Sequence, residues 1–287
     1  MVNKKILVIG SSNTDMTIKS DGLPLPGQTI LGGRFVMGPG GKGANQAVAA
    51  KRLGGDVEFI CKVGHDIFGK NATDGYKKEG IDISHILYST EPSGVALILV
   101  DKTGENVISV APGANGDLSV EDIESIADTI KESDYLILQL EIPIDAVIRA
   151  AQIAHEAGVY VILNPAPACE LPSKIFQYIS LITPNQTETE LMTGVKLNNE
   201  QSFVTAVESF NRMGVKDVII TLGSKGSLVC SEGKHEFVPA IKVNAVDATA
   251  AGDTFCGAVC VALSQGKDLK EAAAFATKAA SLTCLLY

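Results

Sequence analysis

Tryptophan is absent from this 287-residue chain, and aromatic residues make up only 5% of it. Histidine occurs four times and cysteine six times. No apolar run approaches the roughly 18 residues that a membrane-spanning helix needs. Two lysines lie at the start, but Ile6–Ile9 is too short for the apolar region of a secretory signal. Positive charge is in deficit. The 24 Lys and Arg against 33 Asp and Glu leave a net charge of −9, which repels phosphate backbones and argues against sequence-independent nucleic-acid binding. The cysteines show no C-x-x-C pair and no regular spacing, which argues against a disulfide framework. Cys256 and Cys260 stand one helical turn apart, as metal ligands can, yet no histidine is near them in sequence; both read as apolar core. These deficits predict a soluble, cytoplasmic protein.

Apolar material is plentiful, at 46% of residues with a mean hydropathy of +0.21. The 28 Gly and 11 Pro are scattered without period, which excludes collagen-like repeats. Continuous apolar runs occur at Lys4–Gly10, Val57–Cys61, Tyr135–Leu140, Val159–Leu163, Ile179–Thr183 and Val218–Leu222, the mark of strands buried on both faces. Helical periods lie between them. After a capping box at Ser119 and Asp122, apolar residues recur at 123, 126, 127 and 130. Ile144–Ala157, Glu200–Met213, Thr254–Leu263 and Leu269–Leu282 read the same way. Alternating strands and helices predict an α/β fold, a mainly parallel sheet covered by helices on both faces. Met16–Phe35 and Gly94–Val110 lack the helical period and read as a small separate β-sheet, with a hairpin turn at Lys102–Glu105.

Open parallel sheets bind ligands at the carboxyl ends of their strands. The residues there are Asn13, Asp15, Glu141, Asn164, Asn185, Glu188 and Gly223–Gly226. Taken singly, each is an ordinary turn residue. Six polar endings on one edge point to a cleft. Gly38-Pro39-Gly40-Gly41-Lys42-Gly43-Ala44-Asn45 precedes a helix over 44–53 and promises bare backbone and amide donors for a ligand. Its match to G-x-G-x-x-G is weak, because an irregular stretch precedes it in place of a first βαβ strand. It is no P-loop, since Gly43 follows Lys42. Asp247–Phe255 brings small residues and Asp253 to a helix start, which suits a base beside an oxyanion site; alone, Asp253 reads as an N-cap.

Gly10-Ser-Ser-Asn13-Thr-Asp15, Gly40-Gly-Lys-Gly-Ala-Asn-Gln-Ala47 and Ala250-Ala-Gly-Asp-Thr-Phe255 resemble the ribokinase-type carbohydrate kinases. Asn185-x-x-Glu188 and Thr221-Leu-Gly-Ser-Lys-Gly226 follow in the family's order, and the resemblance runs from about residue 3 to about residue 283. It implies a ribokinase-like three-layer α/β fold with a small β-sheet lid. The core would be residues 1–13, 39–93 and 111–287, and the lid 14–38 and 94–110. The implied activity is ATP-dependent phosphorylation of the primary 5-hydroxyl of D-ribose. Asn13, Asp15, Gly41, Lys42, Asn45 and Glu141 would hold the sugar. Asp253 would take the proton of its attacking hydroxyl, and the amides of Ala250, Ala251 and Gly252 would stabilise the transferring group. ATP would be held by Asn185, Thr221, Gly223, Ser224, Lys225, Gly226, Gly252 and Thr277. Glu188 would serve Mg²⁺ indirectly, and Asp247, Thr249 and Cys284 would serve K⁺. Ribose and ATP are the implied partners, with two subunits paired through their lids.

Three departures from the family pattern carry expectations of their own. Ala250 and Cys256 stand where the pattern has Gly and Asn. The sequence ends at Leu285-Leu286-Tyr287, without the Thr-Arg-x-Gly-Ala type of loop that completes the potassium and nucleotide sites in the family. The expectation is a chain that binds sugar but phosphorylates it slowly, with weak K⁺ activation and low thermal stability. The alternatives are a kinase for another furanose (deoxyribose or a nucleoside), a catalytically impaired sugar-binding protein, and, on the glycine pattern alone, a dinucleotide-dependent oxidoreductase.

Overall fold

The computed structural model describes residues 4–245 and 247–285. The start of the chain at 1–3 and its last two residues, 286 and 287, lie outside the described residues. In chain order the strands of the larger sheet are β1 (Lys5–Ile9), β4 (Asp56–Ile60), β9 (Tyr135–Leu138), β10 (Tyr160–Leu163), β11 (Leu181–Ile182), β12 (Asp217–Thr221), β13 (Gly226–Ser231) and β14 (Lys234–Pro239). They lie side by side as β14-β13-β12-β11-β10-β9-β1-β4. Pairing is parallel from β4 to β12 and antiparallel through β13 and β14. The chain runs from β1 to β4 on one side and from β9 to β10 on the other, so the order reverses between β1 and β9, whose carboxyl ends border the crevice that such a reversal opens.

Period-two alternation divides the core into two layers. Ile6 and Val8 of β1 pack into one cluster, and Leu7 and Ile9 into the other. The first layer holds the apolar faces of α1 (Lys42–Arg52), α2 (Ile67–Lys78), α8 (Ala251–Ser264) and α9 (Leu269–Thr283). The second holds α3 (Val120–Ser125), α4 (Ala127–Lys131), α5 (Ile144–Glu156), α6 (Gln186–Thr193) and α7 (Glu200–Met213). No helix among the described residues is long and apolar enough to cross a membrane.

A second sheet, in the order β3-β2-β7-β8, is built from β2 (Asn13–Lys19), β3 (Arg34–Gly40), β7 (Gly94–Val100) and β8 (Asn106–Ala111). The turn at 102–105 joins β7 to β8, and Asp101 accepts hydrogen bonds there from Thr103 and Glu105. A third, two-stranded sheet pairs β5 (Lys62–Gly64) with β6 (Leu87–Ser89).

Four local readings change. The glycine-rich stretch before α1 is not irregular: Arg34–Gly40 is an edge strand antiparallel to β2, and an edge tolerates Pro39. The helical period across 123–130 is broken at Ile126, where the Ser125 hydroxyl takes the Asp122 carbonyl at 2.6 Å and ends α3. The helix at Asp253 begins earlier, at Ala251, and α1 begins at Lys42. The β13–β14 hairpin carried no sequence signal, because its turn is Glu232-Gly233, both at positive φ, in place of Asn-Gly or Asp-Gly.

Candidate active site

Ser11, Ser12 and the first residues of β2 follow directly on β1, and α1 comes down on top of them. The approach is close. A Cβ on Gly43 would lie 2.6 Å from both the Gly10 carbonyl carbon and the Ser11 nitrogen, and a side chain at Gly10 would run into Gln139 Oε1. Gly41 has φ 92, a conformation open mainly to glycine. These glycines therefore let one stretch of backbone pack on another. The first-turn amides of α1, expected to face a ligand, are already taken. Lys42 N donates to Glu141 Oε2 (2.9 Å), Gly43 N to Ser11 Oγ (3.3 Å) and Ala44 N to the Ser11 carbonyl (2.9 Å). Gly43→Ala must push rigid backbone aside. The expected result is a loss of about 1–3 kcal/mol in a denaturant titration, with sugar affinity falling alongside.

One end of the crevice is lined with acid. The carboxylate of Asp15 rests against Gly40, where any side chain would collide with it. Burial pushes the Asp15 carboxyl up to about 6, and the carboxylates of Glu141 and Asp253 add to the effect. Glu141 Oε2 accepts from Ser11 Oγ at 2.6 Å as well as from Lys42 N, while its Oε1 takes no hydrogen bond among the described residues. Asn13 is buried, and its Oδ1 accepts from Asn115 Nδ2 at 2.7 Å. Asn115 also accepts from Ser12 N (2.8 Å), so it clamps the β1–β2 connection. An edge bearing two carboxylates, both with oxygens that accept no hydrogen bond among the described residues, is suited to accepting hydrogen bonds from a polyhydroxyl ligand.

Asp253 lies in the first turn of α8, and its carboxylate is no N-cap. The capping position is Ala250, held at φ 58, which explains why glycine suits that place. The Asp253 side chain turns inward, 7% exposed, between two amides: Asn45 Nδ2 reaches Oδ2 at 3.0 Å and Gln46 Nε2 reaches Oδ1 at 3.1 Å. Burial raises its pKa, and the neighbouring Lys42 ammonium and the two amide donors hold it down. The N–H groups of Gly252 and Asp253 have no acceptor within the helix, which leaves a partial positive charge beside the carboxylate. Ala251 departs from expectation: its N–H is turned back onto the Ala248 carbonyl at 3.2 Å.

The other end of the crevice gathers the remaining candidates. Asn185 caps α6, and both oxygens of Glu188 accept from Asn185, at 2.8 and 2.9 Å. Burial raises the Glu188 pKa. Thr221 pairs with Asn185 as a bridge and passes into the turn Gly223-Ser224-Lys225 before Gly226. Gly226 has φ 116, and a side chain there would strike the Val238 carbonyl. Thr277 is buried on α9, with its hydroxyl committed to the Ala273 carbonyl at 2.8 Å. Asp247 Oδ1 accepts from Thr249 N (2.8 Å), and its N–H points at the Cys284 carbonyl at 3.5 Å, so those three residues meet in space. No group of three His, Cys, Asp or Glu side chains that could hold a metal occurs among the described residues.

Sequence reading missed Ser11, Gln46, Asn115 and Gln139, all buried and all hydrogen-bonded to candidate residues or to one another. Gln46 lies inside the glycine-rich segment, and its helical position beside Asn45 was the one signal available.

Residues 3–286 match the pfkB family of carbohydrate kinases. The chain is 44% identical over 283 residues to a ribokinase of Haemophilus influenzae, covering 98% of this chain and 92% of that protein. A solved structure of ribokinase from Thermotoga maritima superposes with a TM-score of 0.90 at 39% identity, over 99% of this chain and 93% of that one. The structure of Arabidopsis thaliana ribokinase complexed with ribose and ATP superposes with a TM-score of 0.91 at 32% identity, over 99% and 94%.

Proposed function

The chain belongs to the pfkB family of carbohydrate kinases, and from that premise we propose that it phosphorylates D-ribose at its 5-hydroxyl with ATP, giving D-ribose 5-phosphate and ADP. The observation that carries this reading is the buried Asp253 carboxylate, set in the first turn of α8 between free helix amides and the acidic sugar end. Asp15 and the open oxygen of Glu141 accept hydroxyl hydrogen bonds. Asn13 and Lys42 donate from either side, and Gly41 gives the backbone room to approach. Asp253 takes the proton of the 5-hydroxyl as that oxygen attacks the γ-phosphorus. The bond to the leaving ADP oxygen breaks in line. The Gly252 amide meets the charge on the transferring group, together with those of Ala250 and of Ala251, once Ala251 leaves Ala248. Asn185, Thr221, Gly223–Gly226 and Thr277 form the nucleotide end.

The donor set fits Mg²⁺ held chiefly by phosphate oxygens and water. Glu188 is buried with both oxygens engaged by Asn185, which suits contact through water. Such an ion supplies charge neutralisation on the phosphates. The grouping of Asp247, Thr249 and Cys284 offers the oxygen ligands that K⁺ prefers. ADP release over a panel of pentoses, deoxyribose, hexoses and nucleosides, with and without K⁺, tests the reading. D-Ribose is expected to give the highest kcat/KM, and absence of ADP with every sugar sinks it.

The same reading makes the small sheet a lid and a pairing surface. Val36, Ile108 and Val110 are 41%, 53% and 48% exposed and share the face of that sheet that carries Asp15. Paired subunits would cover this apolar face. The double variant Ile108→Lys/Val110→Lys is expected to sediment as a monomer where the unaltered protein sediments as a dimer. Its KM for ribose should rise severalfold. A dimeric variant would remove the face from the interface.

A further inference from the structure

The carboxylate of Asp253 is joined to a buried chain of amides that reaches across the sheet. Asn164 Nδ2 donates to the Thr183 carbonyl at 3.1 Å, and that carbonyl can only accept. Asn164 Oδ1 therefore faces Gln46, which donates to it from Nε2 at 3.0 Å. With its NH₂ committed to that side, Gln46 turns Oε1 toward Gln139, whose Nε2 donates at 2.7 Å. The polarity of the chain is thus set at the Thr183 backbone carbonyl. Gln46 is 0% exposed, so it cannot touch sugar or nucleotide. The chain ends on Gln139 Oε1, which is buried and has no hydrogen-bond partner among the described residues. Such an atom is unfavourable for folding, and an apolar side chain would avoid it.

We propose that Gln46 is a positioning residue for Asp253: its NH₂, oriented by Asn164 and Gln139, holds Oδ1 as an acceptor and leaves the proton-taking role to the carboxylate. The proposal rests on Asp253 being the base of the sugar kinase reaction. A donor that cannot turn its oxygen toward Asp253 opposes protonation of the carboxyl, whereas Asn45, half-exposed, is free to rotate. The other charged or titratable groups acting on Asp253 are Lys42 on α1, Asp15 on β2, Glu141 after β9, Glu188 on α6 and the Cys256 thiol one turn along α8. All of them stay in place when Gln46 is changed.

The test is the pH dependence of the single-turnover phosphoryl-transfer rate in Gln46→Met and Gln46→Glu, beside Asp253→Asn. Gln46→Met keeps the length and removes the donor. The acid limb of the rate is expected to move up by about one pH unit, so that the loss reaches about tenfold on the acid side of the limb and is recovered at higher pH. KM for ribose should stay within about twofold, because Gln46 has no contact with ligand. Gln46→Glu preserves the volume, so the two carboxyls must share a proton and the limb should move further. A folded variant whose acid limb stays where it was overturns the proposal. So does failure of both variants to fold, since Gln46 would then be structural. Turnover surviving in Asp253→Asn would instead overturn the assignment of the base itself.

Discussion

Asp253→Asn is expected to lower kcat by about 10²–10⁴ while KM for ribose stays near its original value. The geometry says why the loss falls on kcat. The carboxylate acts on a proton that moves only as the 5-hydroxyl attacks, so its contribution belongs to the transition state. The substitution is also well tolerated by its surroundings. An asparagine can keep its oxygen on Gln46 Nε2, and its NH₂ then replaces Oδ2 opposite Asn45, whose amide can flip to present oxygen. Fold and sugar site should survive, so a dead enzyme can be read as chemistry. Steady-state kinetics with binding of ribose measured separately decides it. A variant with near-normal kcat would leave Asp253 as a structural residue of α8.

Asp15→Asn is expected to raise KM for ribose by about 10–10² and leave KM for ATP unchanged, since a charge-assisted hydrogen bond contributes roughly 1.5–3 kcal/mol. A second consequence has the opposite sign. Burial and two neighbouring carboxylates push the Asp15 carboxyl up to about 6, above its ordinary value of 3.8. The folded state therefore binds the proton more tightly than the unfolded chain does. Stability falls as pH rises through that window, and the full penalty remains at neutral pH. Asparagine removes the penalty, so at pH 7.5 the variant should melt at a higher temperature than the unaltered protein, and the advantage should disappear by pH 4. The free enzyme should also bind ribose less well as pH falls below about 6, a limb that Asp15→Asn abolishes. If melting temperature and KM are both unchanged at pH 7.5, Asp15 is a structural residue of β2 and takes no part in holding sugar.

The amide chain behind Asp253 shows where sequence reading stops. Gln46 and Gln139 are 93 residues apart and carry no pattern, because a glutamine's role depends on which way its amide is turned. The helix starts make the same point. Both α1 and α8 follow runs of small residues, and on sequence alone both offer amides to a ligand. In the folded chain Ser11 and Glu141 consume those of α1, while Gly252 and Asp253 keep theirs.

By itself the sequence determined the layered α/β architecture. Strands buried on both faces must be continuously apolar, as in β1 and β9, and covering helices must repeat their apolar residues about every 3.6 positions; both are local properties. It also carried the expectation that the polar strand ends, the glycine-rich segment at 38–45 and the small-residue segment at 247–255 serve one site, because residue type at a strand terminus is visible without coordinates. Only the tertiary structure decided which groups there stay open. Whether an amide or a carboxylate oxygen faces a ligand depends on what approaches it from elsewhere in the chain. Glu141 meeting Ser11 across 130 residues and Asp253 meeting Gln46 across 207 are contacts that no local pattern encodes.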